Sequence, residues 1–351
     1  MIKVMRSQRY KTIMKISIII TNYNYSDYLG ACINSSLEQK YINKEIIVVD
    51  DGSTDESRSI MLGYGSRITS LFKSNGGQAS ACNVGFLASS GDVIVFLDSD
   101  DMLMPHCLER IAQSWNGSFS KLHYNLLIMR KNGDSSGKIF CKRSLPSGDL
   151  KESLLNEGNY LSMPTSGNAF SRSFLNEVMP IPEDTWHSYA DIYLMNLAAL
   201  AGCVGAIDEP LGFWRGHGEN MSRHVMDSHV HIDRVYSSIV REINTDRLIF
   251  DYCKTHGLKY RSGALTSSYP HLQLLMVYDK LAHLFKKSRF RPSWRDYINM
   301  TISLSHFKNI ALIKIALIHT WMFLILIAPS KLAEKLVVFS YAKGAMLCQK
   351  C

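Results

Sequence analysis

Between residues 15 and 115, short β-branched apolar runs alternate with longer stretches whose apolar positions recur at helical spacing. Strands are predicted over 16–20, 45–49, 68–72 and 93–97, and helices over 26–39, 54–62 and 78–88. A further helix over 105–115 begins with Pro105, whose fixed φ suits a first turn. Unbroken apolar strands separated by helices imply a mostly parallel sheet buried on both faces. Such a sheet binds ligands beyond the carboxyl ends of its strands. Residues 116–225 change character. A strand over 122–129 runs into an Asn132-Gly133 turn, a helix over 188–201 stops at Gly202, and strands over 204–207 and 211–214 flank Asp208-Glu209-Pro210. From about residue 226 the pattern is helical. The expected class is α/β, with a basic leader over 1–14, a first α/β half over 15–115, a second half of the same domain over 116–225, and a helical extension over 226–351.

Charge sharpens this division. Residues 1–250 hold 24 basic and 27 acidic side chains, a net −3, whereas residues 251–351 hold 15 and 4, a net +11. A nucleic-acid binder would carry its positive charge on the folded binding module, so nucleic acid is not an expected partner. With 46% apolar and 20% charged residues the 351-residue chain is globular, with ample core. Eight cysteines are scattered without the spacing of a disulfide framework, which points to a reducing compartment. Cys348 and Cys351 have the spacing of a metal or redox pair but lack a second pair. The first apolar run is too short to span a membrane and lacks a small-residue cleavage site, so a cytoplasmic location is expected.

Two acidic clusters directly follow two of the predicted strands: Asp50-Asp51-Gly52-Ser53-Thr54-Asp55 and Asp98-Ser99-Asp100-Asp101. In a parallel sheet both open on one edge. Carboxylates gathered there repel one another unless a cation sits among them. Hard oxygen ligands suit Mg²⁺ or Mn²⁺, with a diphosphate completing the shell. Taken singly, the first cluster also reads as a turn with a helix cap, and an Asp-x-Asp after a strand is common; together in one βαβ context they are far more specific.

Four segments carry a family resemblance. Lys15-Ile-Ser-Ile-Ile-Ile-Thr-Asn-Tyr-Asn24, Ile47-Val-Val-Asp-Asp-Gly-Ser-Thr-Asp55, Asn75-Gly-Gly-Gln-Ala-Ser-Ala-Cys-Asn-Val-Gly85 and Gly91-Asp-Val-Ile-Val-Phe-Leu-Asp-Ser-Asp-Asp101 resemble, in order and spacing, the motifs of family 2 glycosyltransferases. The resemblance implies a glycosyltransferase A-type fold, a nucleotide-sugar donor (a UDP-sugar first), Mn²⁺ or Mg²⁺, and inversion at the anomeric carbon. It makes 15–115 the donor half and 116–225 the acceptor half. Carried over, Thr21 and Asn22 wall the nucleotide pocket, Asp50 and Asp51 meet the nucleoside, Asp98 meets the ribose or a metal-bound water, and Asp100 ligates the metal. Asp101 supports or ligates. The family often carries Arg where this chain has Cys82, which removes a phosphate or carboxylate partner.

The family's catalytic base is usually the Asp of a Glu-Asp pair that opens a helix. Ala190-Asp191 fits with Ala in place of Glu, making Asp191 the candidate base, with Glu183 and Asp184 as neighbouring competitors and a solvated helix-start Asp as the bland reading. Ser166 and Gly167, within Thr165-Ser166-Gly167-Asn168, resemble the acceptor-pocket segment. His217, in Arg215-Gly-His217-Gly, resembles the motif closing the domain and is a candidate for the metal or a phosphate, against the simpler reading of a surface histidine.

Residues 310–328 are the most apolar segment. Nineteen residues rise about 28 Å as a helix, but Lys314 and His319 make it a poor span. Core helix, interfacial helix and tilted span stay open. The surrounding lysines and arginines favour an anionic membrane surface, reached peripherally from the cytoplasmic side, and with it a lipid-linked or surface-glycan acceptor. The alternative to an enzyme is a non-catalytic nucleotide- or glycan-binding subunit, favoured by Cys82 and Ala190.

Overall fold

The computed structural model describes residues 14–217, 225–226, 229–260, 269–282 and 312–342. The basic leader up to residue 13 and the Cys348/Cys351 pair lie outside the described residues. One mixed sheet organises the chain up to His217. Its elements are β1 (Ile16–Asn22), α1 (Ser26–Leu37), β2 (Lys44–Asp50), α2 (Ser57–Gly63), β3 (Thr69–Phe72), α3 (Gly77–Ala88), β4 (Val93–Asp98), β5 (Met102–Leu103), α4 (Cys107–Ser114), β6 (Phe119–Arg130), β7 (Ser135–Ile139), α5 (Lys151–Glu157), β8 (Asn168–Ser171), α6 (Arg172–Val178), α7 (Glu183–Trp186), α8 (Ala190–Ala201) and β9 (Cys203–Gly216). The strand order is β3-β2-β1-β4-β8-β6-β9-β5, with β7 beside β6.

β1, β2, β3 and β4 are parallel, as their unbroken apolar runs predict. Alternate residues feed two cores. Ile19, Ile47 and Val49 pack with α3, α6 and α8 on one face. Ile18, Ile20 and Val48 pack with α1 and α4 on the other. Gly85 lets α3 lie close on β1, since a Cβ there would come within 2.3 Å of Ile19.

The second half departs from the sequence expectation in two places. β8, four residues with a polar residue at each end, inserts antiparallel between β4 and β6 and joins both halves into one sheet. It is too short to show a period, which is why the pattern did not reveal it. The two strands expected around Asp208-Glu209-Pro210 are one strand, β9, whose register against β6 shifts at the Asn125/Pro210 pair. The irregularity absorbs Pro210, which has no N–H to donate, while Asp208 accepts the Leu145 N–H at 2.7 Å.

The extension contributes α9 (Ile232–Thr255), α10 (Tyr269–Ala282), α11 (Leu312–Ile327) and α12 (Ser330–Ala342), preceded by a short pair, β10 (Val225–Met226) with β11 (His229–Val230). α9 belongs to two cores. Ile249 and Cys253 join the sheet-side core, and Ile232, Val235 and Ile239 join a separate one with α10, α11 and α12. Among the described residues no helix is long and apolar enough to cross a membrane. The six described cysteines are free, five of them buried.

One buried group on β6 predicts a pH response. The fully buried His123 has its Nε2 2.8 Å from the Pro146 carbonyl, and burial, helped by Lys121, pushes its pKa down to about 3. Unfolding restores an ordinary imidazole that binds a proton below about 6.5. The unfolded state therefore holds the extra proton between these values, and stability should rise with pH across the window from 3 to 6.5. Urea titrations at several pH values should show a shallower rise for His123→Gln; equal slopes would refute the assignment.

Candidate functional site

The parallel register brings the sequence motifs level. Asn22 lies opposite Asp50, and Thr21 opposite Asp98, so three strands end together at one edge. Asn22 Nδ2 donates to Asp50 Oδ1 at 3.1 Å and to Ser53 Oγ at 3.2 Å, and the Ser53 N–H donates to Asp50 Oδ2 at 3.1 Å. Asn22 Oδ1 is buried with no hydrogen-bond partner among the described residues. Asp51 accepts from Lys73 Nζ at 2.5 Å and from the N–H groups of Gly76 and Gly77 at 3.0 and 2.7 Å. Its carboxylate thereby draws the Asn75-Gly-Gly-Gln segment over the strand ends. Gly77 is required there: its φ is +85°, and a Cβ would lie 2.5 Å from His187.

The second cluster is more deeply set. Asp98 Oδ1 accepts from Gln78 Nε2 at 3.0 Å, and the Asp98 N–H donates to Ser166 Oγ at 3.1 Å. Burial first, then the charges of Asp100 and Asp191, pushes the Asp98 carboxyl up to about 7, against hydrogen bonds from Thr165 and Gln78. Burial first, then the charges of Asp100 and Asp98, hold Asp101 well above the usual range. Asp100 Oδ2 sits 2.8 Å from His217 Nε2. His217 is therefore not a surface residue: its side chain is only 2% exposed, with Tyr28 stacked on the ring and Tyr25 edge-on, both at 5.7 Å.

Arg215 binds this cluster together. Its N–H donates to Asp101 Oδ1 and its Nε to the Asp100 carbonyl, both at 2.8 Å, and Nη1 donates to the Lys131 carbonyl at 3.1 Å. The guanidinium lies 4.7 Å over the Tyr28 ring. The sequence motifs include Arg215, Gln78 and Thr165 without giving them a role, and they leave out Lys73 and Tyr28. Only the position of Gln78 and Lys73 beside the Gly-Gly pair offered a signal.

Asp191 occupies the first turn of α8, half-buried, and its charge raises both Asp98 and the buried Cys82 thiol. The charge of a second-half residue thus reaches the carboxylate at the end of β4. Ala190 beside it is buried in the core. Glu183 is exposed and accepts from Asn83 Nδ2 at 3.1 Å, and hydrogen bonds from Asn83 and Ser80 hold its carboxyl low, so it ties α7 to α3. Ser166 and Gly167 are fully enclosed. Ser166 hydrogen-bonds to the Asp98 N–H, and the close approach that Gly167 allows is to Met163 and the Tyr124 carbonyl.

Asp100 and His217 are the residues that could hold a divalent cation, offering one carboxylate and one imidazole. Asp98 and Asp101 beside them are raised by burial first and by neighbouring carboxylates second. Among the described residues no group of three His, Cys, Asp or Glu side chains converges on one point. Two protein ligands with a diphosphate and waters make a shell that suits Mn²⁺ or Mg²⁺.

Residues 17–120 match the family Glycosyl transferase family 2. An uncharacterized glycosyltransferase of Nostoc sp. (strain PCC 7120) is 38% identical over 213 residues, 59% of this chain and 66% of its own length. An uncharacterized glycosyltransferase of Rickettsia prowazekii is 46% identical over 94 residues, 27% of this chain and 30% of that one. The chain thus spans less than two thirds of either relative. Among solved structures, S. aureus TarS 1–349 in complex with UDP-GlcNAc superposes with a TM-score of 0.51 at 19% identity, covering 94% of this chain and 92% of that one, which shows a shared glycosyltransferase A-type fold.

Proposed function

Through its domain over residues 17–120 this chain belongs to glycosyl transferase family 2, and we propose that it moves one sugar from a nucleotide-sugar donor to a hydroxyl acceptor with inversion at the anomeric carbon. The observation that carries this reading is the register that ends β1, β2 and β4 together, setting Thr21, Asn22, Asp50 and Asp98 at one edge, with Asp191 of α8 near enough for its charge to raise Asp98. A proton acceptor and a phosphate-side acidic cluster then face one cleft, as direct displacement requires.

In this reading Thr21, Asn22 and Asp50 line the nucleoside pocket, with the buried Asn22 Oδ1 free to accept from a base N–H. Asp51 positions the Gly76-Gly77 turn above it. Asp98 meets the ribose. Asp100 and His217 would hold Mn²⁺ or Mg²⁺, which when bound would supply positive charge to the departing diphosphate. Asp191 takes the proton from the acceptor hydroxyl as its oxygen bonds to the anomeric carbon and the bond to the diphosphate oxygen breaks on the opposite face. A UDP-sugar is the first donor to test, since the S. aureus neighbour of this fold was solved with UDP-GlcNAc.

Calorimetry with UDP, GDP, CDP and dTDP, with and without Mn²⁺, tests the donor site. One nucleotide should bind in a metal-dependent manner, and Asp100→Ala should abolish the metal dependence. No binding to any of the four by a folded sample would refute the site. Nucleotide binding with no turnover would identify instead the non-catalytic subunit. Cys82 favours that second reading, because it leaves Asp98 and Asp191 without a guanidinium between them.

The acceptor in this reading is a lipid-linked or surface glycan, and the enzyme works at the cytoplasmic face of a membrane. Support comes from the α11–α12 hairpin. There Phe323, Leu324, Ile327, Leu332 and Phe339 are exposed beside exposed Lys331 and Lys335. Apolar side chains flanked by lysines suit an anionic bilayer surface. The full chain should float with phosphatidylglycerol vesicles and not with phosphatidylcholine vesicles, and Phe323→Ser with Phe339→Ser should weaken flotation. Equal recovery with both lipids would overturn it.

A further inference from the structure

A cavity of about 190 Å³ lies where the extension meets the catalytic domain. Thr185, Trp186 and Tyr189 form one wall, and α9 supplies Tyr236, Arg241 and Asn244 to the other. The α9 positions recur at helical spacing, so one face of the helix is committed to the cavity. Arg241 holds its guanidinium 5.4 Å over the Tyr189 ring. Among the described residues it has no carboxylate partner, and the Asn244 amide has no protein hydrogen bond there either. Aromatic rings thus face one space together with a guanidinium and an amide that have no hydrogen-bonding protein partner among the described residues.

The cavity is not the donor pocket. His187 packs against Gly77, whose N–H holds Asp51, so the 185–189 segment stands between the two. Tyr189 occupies the N-cap position of α8, and Asp191 lies in the first turn of that helix, near enough to Asp98 for its charge to act there. An acceptor whose hydroxyl reaches Asp191 would lay its adjoining part over Tyr189. Aromatic faces pack on the C–H faces of sugar rings, while a planar guanidinium takes a phosphate or carboxylate in two parallel hydrogen bonds.

We propose that this cavity is an acceptor subsite for an anionic saccharide, with Tyr189 and Tyr236 stacking on the sugar and Arg241 pairing with its oxyanion. The word acceptor rests on the glycosyltransferase reading; the binding itself does not. The extension helix thereby sets acceptor choice, a role that the donor motifs of the first half do not carry.

Saturation-transfer NMR on the full chain, with saturating UDP and Mn²⁺ present to occupy the donor site, tests it with three probes: methyl glucoside, methyl glucuronide and glucose 1-phosphate. At least one charged sugar should bind about tenfold more tightly than the neutral one. The better of the two tells carboxylate from phosphate. Arg241→Gln should remove that preference and Arg241→Lys should restore part of it. Equal affinity for all three sugars, no binding of any, or an unchanged preference in Arg241→Gln would overturn the subsite. Calorimetric UDP binding in the same samples reports the donor site separately, so a protein that binds UDP but none of the sugars refutes the subsite alone.

Discussion

Asp191→Asn is expected to lower kcat by about 10²–10⁴-fold while nucleotide affinity stays unchanged. The amide keeps the size of the carboxylate and can still receive the Ile192 N–H, which Asp191 Oδ1 accepts at 2.8 Å. It cannot take a proton from an attacking hydroxyl. Nor can it load the cleft with a second negative charge, so Asp98 is relieved of one cause of its raised pKa. Donor binding therefore gains or holds while transfer fails. Glu183→Gln is the matched control, because that side chain is exposed and spent on Asn83. Its turnover should stay near wild type. A coupled assay for nucleotide release with calorimetry on both variants decides the matter. Loss of turnover in Glu183→Gln with retention in Asp191→Asn would move the base to α7.

Arg215→Ala should be the most damaging substitution outside the reacting groups. The side chain is 4% exposed, and its guanidinium meets the Asp100 and Lys131 carbonyls and the face of Tyr28. Truncation leaves two part-buried carbonyls without this donor and removes a positive charge next to Asp100 and Asp101. A loss of about 3 kcal/mol in stability is expected. Metal-dependent nucleotide binding should fall with it, since Tyr28 then loses one of the two groups that fix it against His217. Arg215→Lys should recover part of the stability and little of the binding, because an ammonium cannot meet two separated carbonyls and a ring face together. Urea unfolding and calorimetry read the two effects apart. An unchanged midpoint with wild-type nucleotide affinity would show that Arg215 does not organise the cluster.

Much of the site was legible in the chain because the first half is built locally. Each acidic motif directly follows a strand whose apolar run identifies it, and a parallel sheet sends all such ends to one edge. Thr21, Asn22, Asp50 and Asp98 are level for that reason alone. The acceptor side was less legible. Ser166 and Gly167 sit in a segment that reads as a loop beside an open pocket, yet both are enclosed because β8 carries that segment between β4 and β6. His217 lies in a glycine-rich stretch that reads as surface, yet β9 delivers it beneath Tyr25 and Tyr28.

The amino-acid order by itself determined the strands and helices of residues 15–115, the acidic edge and the charge division at about residue 250. Periodicity and strand-end motifs are properties of neighbours in sequence. Only the tertiary structure decided that the charge of Asp191 reaches Asp98, that His217 meets Asp100, and that α9 closes a cavity against Tyr189. Those meetings join groups roughly fifty to a hundred and twenty residues apart, and their energies depend on sheet order, burial and charge that no local window contains.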